Sequence, residues 1–163
     1  MTTEQTTQAK EQIYVWDPFV RLFHWTLVTA FFIAYIVEED VMTLHAWAGY
    51  TVFALLISRI LWGLIGSQHA RFSDFVYRPS RVLAYLKDIA TRSPRRYLGH
   101  NPAGGAMIIL MMLCLLALTA SGIALYGADQ HAGPLAGMMA GISHDGEEVL
   151  EEVHEFFDNF TVL

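Results

Sequence analysis

The sequence predicts an all-α membrane protein: a four-helix bundle with three complete transmembrane helices and a truncated fourth, plus a cytoplasmic amphipathic helix between helices 2 and 3. Three observations carry this reading. Hydrophobic residues make up 54% of the 163 and charged residues only 16%, with a mean hydropathy of +0.36, which is too apolar for an ordinary soluble domain. Three apolar runs reach the length of about 20 residues that crosses hydrocarbon as a helix. A fourth segment has helical apolar spacing but stops early.

The elements follow in chain order. Residues 1–14 are polar and acidic, without the basic start and small-residue cleavage site of a secretory signal, and are expected to form a flexible cytoplasmic tail ahead of one domain at residues 15–163. The first span runs from about Phe19 to Val37, with Asp17 as N-cap and Pro18 at the first helical position, and ends in the charged "EED" of Glu38 to Asp40. A second span, from about Val41 to Gly66, follows so closely that the two must form an antiparallel hairpin. The third, "GGAMIILMMLCLLALTASGIALYG", follows "HNP" and is apolar apart from Thr119 and Ser121. The single cysteine, Cys114, excludes a disulfide within the chain and any cysteine-ligated cluster, and no CxxCH sequence offers covalent haem attachment.

Between the second and third spans, "RPSRVLAYLKDIATRSPRR" places Val82, Tyr85, Leu86 and Ile89 at helical spacing beside Arg81 and Lys87, the pattern of a short helix lying on a membrane surface. Residues 71–96 hold seven of the ten Lys and Arg, which by the positive-inside rule puts them, and the N-terminus, in the cytoplasm. The other side receives Glu38, Glu39 and Asp40, the Gly/Met/His-rich loop from Gly127 to Ser143, and "HDGEEVLEEVHEFFDNF", with no Lys or Arg among them. From about Glu147 this last segment places Leu150, Val153, His154, Phe157 and Thr161 on one face and Glu148, Glu151, Glu152 and Glu155 largely on others. It ends at "FTVL", too soon to reach the cytoplasmic side, so the chain is expected to be truncated.

Histidine depth then points to chemistry. An imidazole without a partner in hydrocarbon costs roughly 4–8 kcal/mol on cyclohexane-type scales, so an intramembrane histidine needs a job. At 1.5 Å per residue His24 lies roughly 21 Å below the turn at Glu38, whereas His45 lies only about 6 Å below it. His24 and His45 therefore cannot share one metal. His154, less than three turns into a helix entering from the same outer side, matches His45 in depth, as the two axial imidazoles of one haem iron must.

The stretches "VWDPFVRLFHW", "LHAWAGY", "SRILWGLIGSQHARFSDF", "GHNPAGG" and "EEVHEFFDNF", in this order, resemble the prokaryotic cytochrome b561 family, which includes the b-type cytochrome subunits of nickel–iron hydrogenases. The resemblance covers Val15 to Leu163. It implies a bundle in the bacterial inner membrane that carries haem b between paired histidines and passes electrons between quinone and a redox partner. His24, His45 and His154 are then the haem-iron ligands, with two haems in the full-length protein and at most one complete site in this chain. The mate of His24 would lie about four turns past His154, so an inner haem here is expected to be absent, five-coordinate or held by a substitute ligand.

Other residues have two readings. Arg59 either neutralises a haem propionate or a quinone head group, or it snorkels to the inner interface. His69, His100, His131 and His144 read as ordinary hydrogen-bonded histidines, and Trp25, Trp47 and Trp62 as packing residues or interfacial anchors. Gly49, Gly104, Gly105 and Gly122 permit close approach of a helix or a flat macrocycle. The expected partners are membrane lipid, quinone, and either a basic periplasmic c-type cytochrome, drawn by the acidic rim, or a dehydrogenase or hydrogenase subunit. With a net charge of −6, no nucleic-acid partner is expected. Electron transfer with quinone oxidoreductase activity is one function class. The other is a non-redox divalent-metal carrier built on the same histidines with Met138, Met139 and the acidic loop.

Overall fold

The computed structural model describes residues 17–37, 41–92, 96–97 and 99–162, and it is all-helical with no strand among them. The expected tail at residues 1–14 and the turn at Glu38 to Asp40 lie outside the described residues. Helix α1 (Pro18–Val37) starts where Asp17 accepts hydrogen bonds from the backbone N–H groups of Phe19 (2.8 Å) and Val20 (3.2 Å), the cap expected from the sequence. Helix α2 (Met42–Ile65) packs back along α1. The second Asp17 oxygen accepts from Trp62 Nε1 at 3.1 Å and from Ser67 Oγ, so one carboxylate pins the start of α1 to the end of α2.

A compact connection follows. A turn of 3₁₀ helix at Gln68–Ala70 leads into α3 (Phe72–Phe75), neither of which is legible in the sequence because so short a helix has no periodicity to read. Helix α4 (Pro79–Ala90) is the expected amphipathic one. It buries Tyr85, whose ring meets Tyr97 edge-on at 5.5 Å between centroids, and leaves Leu86 and Ile89 facing outward.

Helix α5 (Pro102–Asp129) begins two residues before the run read from the sequence, because Asn101 caps it by accepting from the Gly104 N–H at 2.8 Å. In the middle of this apolar helix the hydroxyls of Thr119 and Ser121 donate to the carbonyls of Leu115 (2.7 Å) and Leu118 (2.9 Å), leaving neither unsatisfied where water is absent. A short α6 (Ala136–Met139) precedes α7 (His144–Val162).

Helices α1, α2 and α5 are long and apolar enough to cross a membrane, while α7 is amphipathic and is not among those three. Helix α2 packs on both α1 and α5, and α7 lies along α5. The core between them consists of Ala30, Val52, Leu56, Met112, Leu115 and Leu118, with Phe23, Leu27, Phe31 and Phe157 packed around it. Many other large apolar side chains of the three long helices face outward, as expected where the surroundings are lipid.

Candidate functional site

Two histidines meet at the acidic end of the bundle. His45, one turn into α2, uses Nδ1 at 3.0 Å from the carbonyl oxygen of Ala34 on α1. A carbonyl only accepts, so Nδ1 carries the proton and Nε2 is left with its lone pair. His154 on α7 does the same: its Nδ1–H donates to the Leu118 carbonyl at 3.0 Å, with Ser121 Oγ 3.2 Å away. Two imidazoles oriented by backbone carbonyls through Nδ1, with Nε2 free, have the tautomer that metal-ligating histidines adopt.

Their rings lie 6.2 Å apart between centroids, at an interplanar angle of 70°. Two iron–nitrogen bonds of about 2 Å, with roughly 1 Å from each nitrogen to its ring centre, add to about 6 Å, so by separation these two imidazoles would fit a haem iron held between them. The seat of His154 depends on Gly122 of α5, where a Cβ would stand 2.7 Å from its Cε1.

His24 is not brought to this pair. It is exposed on α1, edge-on to the Trp25 ring at 5.5 Å between centroids. Seven residues separate it from Phe31, so the two share one face of α1, and Phe31 packs on the same core cluster as Phe157 of α7. His24 thus stands two turns from Phe31 along α1, away from the His45–His154 pair.

At the basic end Arg59 is buried, 4% exposed, rather than snorkelling to an interface. Its guanidinium carbon lies 5.3 Å from the ring centre of Phe72 and 5.9 Å from that of Phe75, and Nη1 has no hydrogen-bond partner among the described residues. The sequence held a signal for this: Ala48, Val52, Leu56, Arg59 and Gly63 repeat at spacings of three and four and form the buried stripe of α2. His100, read from the sequence as an ordinary hydrogen-bonded histidine, packs its ring on Phe75 at 5.1 Å between centroids. Partial desolvation and the nearby Arg59 charge push the His100 pKa below its ordinary value, against an opposing pull from Asp74. His69, read as an ordinary hydrogen-bonded histidine, pairs with Asp74 at 3.1 Å.

The divalent-metal alternative finds no geometry. Met138 is 74% exposed on α6, and among the described residues no group of three or more His, Cys, Asp or Glu side chains gathers to hold an ion.

Comparison with known proteins agrees with this arrangement. Residues 15–163 match the family described as prokaryotic cytochrome b561. A probable Ni/Fe-hydrogenase B-type cytochrome subunit of Azotobacter vinelandii is 22% identical over 90% of this chain and 74% of its own length. Its namesake in Rhizobium leguminosarum bv. viciae is 26% identical, over 86% and 72%. No solved structure matches the chain. With a family match across nearly its whole length and three membrane-capable helices, the chain belongs to the prokaryotic cytochrome b561 family and is a multi-pass membrane b-type cytochrome.

Proposed function

We propose that this cytochrome passes electrons between a quinone at its basic, cytoplasmic end and a redox protein at its acidic, periplasmic end in a bacterial inner membrane. The observation that carries the reading is the His45–His154 pair, with both Nδ1–H groups tied to carbonyls and the rings 6.2 Å apart. Haem b held by His45 and His154 would supply one-electron ferric/ferrous chemistry. The chain's own part is to hold the imidazoles rigidly, through Ala34, Leu118 and Gly122, and to keep water from their inner side with Phe157 and the core residues.

His24 would help to hold a second haem nearer the basic end, a site this chain leaves without a second histidine among the described residues, and the buried Arg59 guanidinium would neutralise a propionate or bind a quinone head group there. The relatives named as hydrogenase subunits support a hydrogenase catalytic subunit as the partner at the acidic end. A basic c-type cytochrome is the second candidate for that surface.

Reduced-minus-oxidised spectra of the purified, haem-replete protein test the ligand assignment. Low-spin haem b bands are expected in wild type, with the same contribution lost in both His45→Ala and His154→Ala and retained in His24→Ala. A spectrum unchanged in His45→Ala rules the pairing out.

A further inference from the structure

The connection between α2 and α5 has an outward face that the electron path does not use. Helix α4 turns Leu83, Leu86 and Ile89 outward, at 67%, 47% and 46% exposed. Between α4 and the first part of α5 runs an apolar groove of about 480 Å³, walled by Val82 and Leu83 on one side and Leu110 and Leu113 on the other, with Gly105 and Ala106 as a floor of little side chain. From Gly105 to Leu113 it follows α5 for about 12 Å, from one end of a membrane-capable helix towards its apolar middle. Lipid tails, not water, surround a groove in that position.

Two cations flank the groove. Arg78 lies between the lining residues Tyr77 and Pro79, and Lys87 sits one turn beyond Leu83 on the same face of α4; both are exposed. Neither makes an ion pair among the described residues. Asp88, the one acid of α4, lies about 140° around the helix from Leu83 and faces elsewhere. Exposed Arg81, Arg92 and Arg96 add to the positive charge of the same connection.

We propose that this groove holds one acyl chain of an anionic phospholipid whose headgroup meets Arg78 and Lys87. Charge complementarity selects this occupant. A second copy of the chain would bring its own basic connection against this one, and a neutral quinone gains nothing from two cations. A cation near the membrane surface contributes a factor of about five in affinity for anionic lipid, so two give about a 25-fold preference over a zwitterionic lipid with the same tails.

Native mass spectrometry of the full chain in neutral detergent, titrated with dioleoyl phosphatidylglycerol or dioleoyl phosphatidylcholine, reads this directly. One phosphatidylglycerol per chain is expected at about 25-fold lower concentration than phosphatidylcholine. The pair Arg78→Gln/Lys87→Gln should abolish the preference, and Ala106→Phe, which fills the floor, should abolish retention of both lipids. Equal retention of the two lipids by wild type, a preference that survives the Gln pair, or displacement by an equal concentration of a short-chain benzoquinone would overturn the proposal. If the variants do not accumulate, spin-labelled lipids in wild-type vesicles decide: a motionally restricted fraction larger for phosphatidylglycerol is required, and equal fractions overturn it.

Discussion

Gly122 of α5 lies directly against the imidazole of His154 on α7: a methyl group there would stand 2.7 Å from Cε1 and 3.1 Å from Nδ1. Carbon atoms in contact prefer about 3.5–4.0 Å, so the ring has no room to share. The same helix holds it in place, through the contacts of Nδ1 with the Leu118 carbonyl and Ser121 Oγ.

Gly122→Ala should therefore displace His154 rather than unfold the helix. Overpacking of this kind costs about 1–3 kcal/mol, and here it falls on the ligand's position. The expected result is a protein that still inserts and retains its helicity but shows weakened low-spin haem b bands, close to those of His154→Ala. Unchanged spectra with full haem content would mean that the ring is not seated as described.

Asp17 makes a second prediction, because one carboxylate holds both α1 and α2. Burial raises its pKa, but hydrogen bonds from Ser67, Trp62 and the N–H groups of Val20 and Phe19 outweigh this and hold it below the ordinary value. The folded state thus binds fewer protons than the unfolded one near that value, so the stabilisation is present above about pH 4 and is lost as pH falls through the folded pKa. Asp17→Asn keeps a capping oxygen but offers an NH₂ where Trp62 and Ser67 need an acceptor, a loss of about 1–2 kcal/mol at pH 7. Thermal melting at pH 7 and below pH 4 should show a difference between wild type and variant that shrinks in acid. A constant difference would remove the carboxylate from this role.

Arg59 tests the basic end. A buried guanidinium whose Nη1 has no partner among the described residues is a cost to folding, and replacing it with an apolar side chain of similar length is commonly neutral or stabilising. Arg59→Met should melt no lower than wild type, while haem reduction by added quinol slows roughly tenfold or more, the scale of a lost hydrogen bond to a charged group. A large drop in melting temperature with unchanged quinol reduction would make Arg59 a packing residue held by Phe72 and Phe75.

How much of this was legible in the sequence depends on length scale. The spans of α1, α2 and α5 were readable because each apolar run matches hydrocarbon thickness, and Asp17–Pro18 marks the start of α1 locally. Asn101–Pro102 carries the same signal for α5, yet the apolar run alone put the start two residues late, at Gly104. The common depth of His45 and His154 followed from helix rise alone. What could not be read is what tertiary contacts create: the Ala34 and Leu118 carbonyls that orient the rings, and the α3 turn that puts Phe72 and Phe75 beneath Arg59. Those contacts join residues 11 or more positions apart, beyond the reach of any local periodicity.

The acidic end carries the last prediction. Glu148, Glu151, Glu152 and Glu155 are all exposed on α7, the helix that presents His154, and this helix contains no Lys or Arg. A surface of one sign concentrates an oppositely charged partner and raises its encounter rate by roughly 10- to 1,000-fold, an effect that salt screens over about 8 Å at physiological ionic strength. If the His45–His154 haem exchanges electrons with a basic protein docked on α7, the second-order rate with a basic c-type cytochrome should fall steeply as salt is added. The variant Glu147/Glu148/Glu151/Glu152→Gln should start slower and show a nearly flat salt dependence, since its haem and its imidazole contacts are untouched. The same slope in both proteins would show that these carboxylates only solvate the helix, and would move the docking site elsewhere on the acidic end.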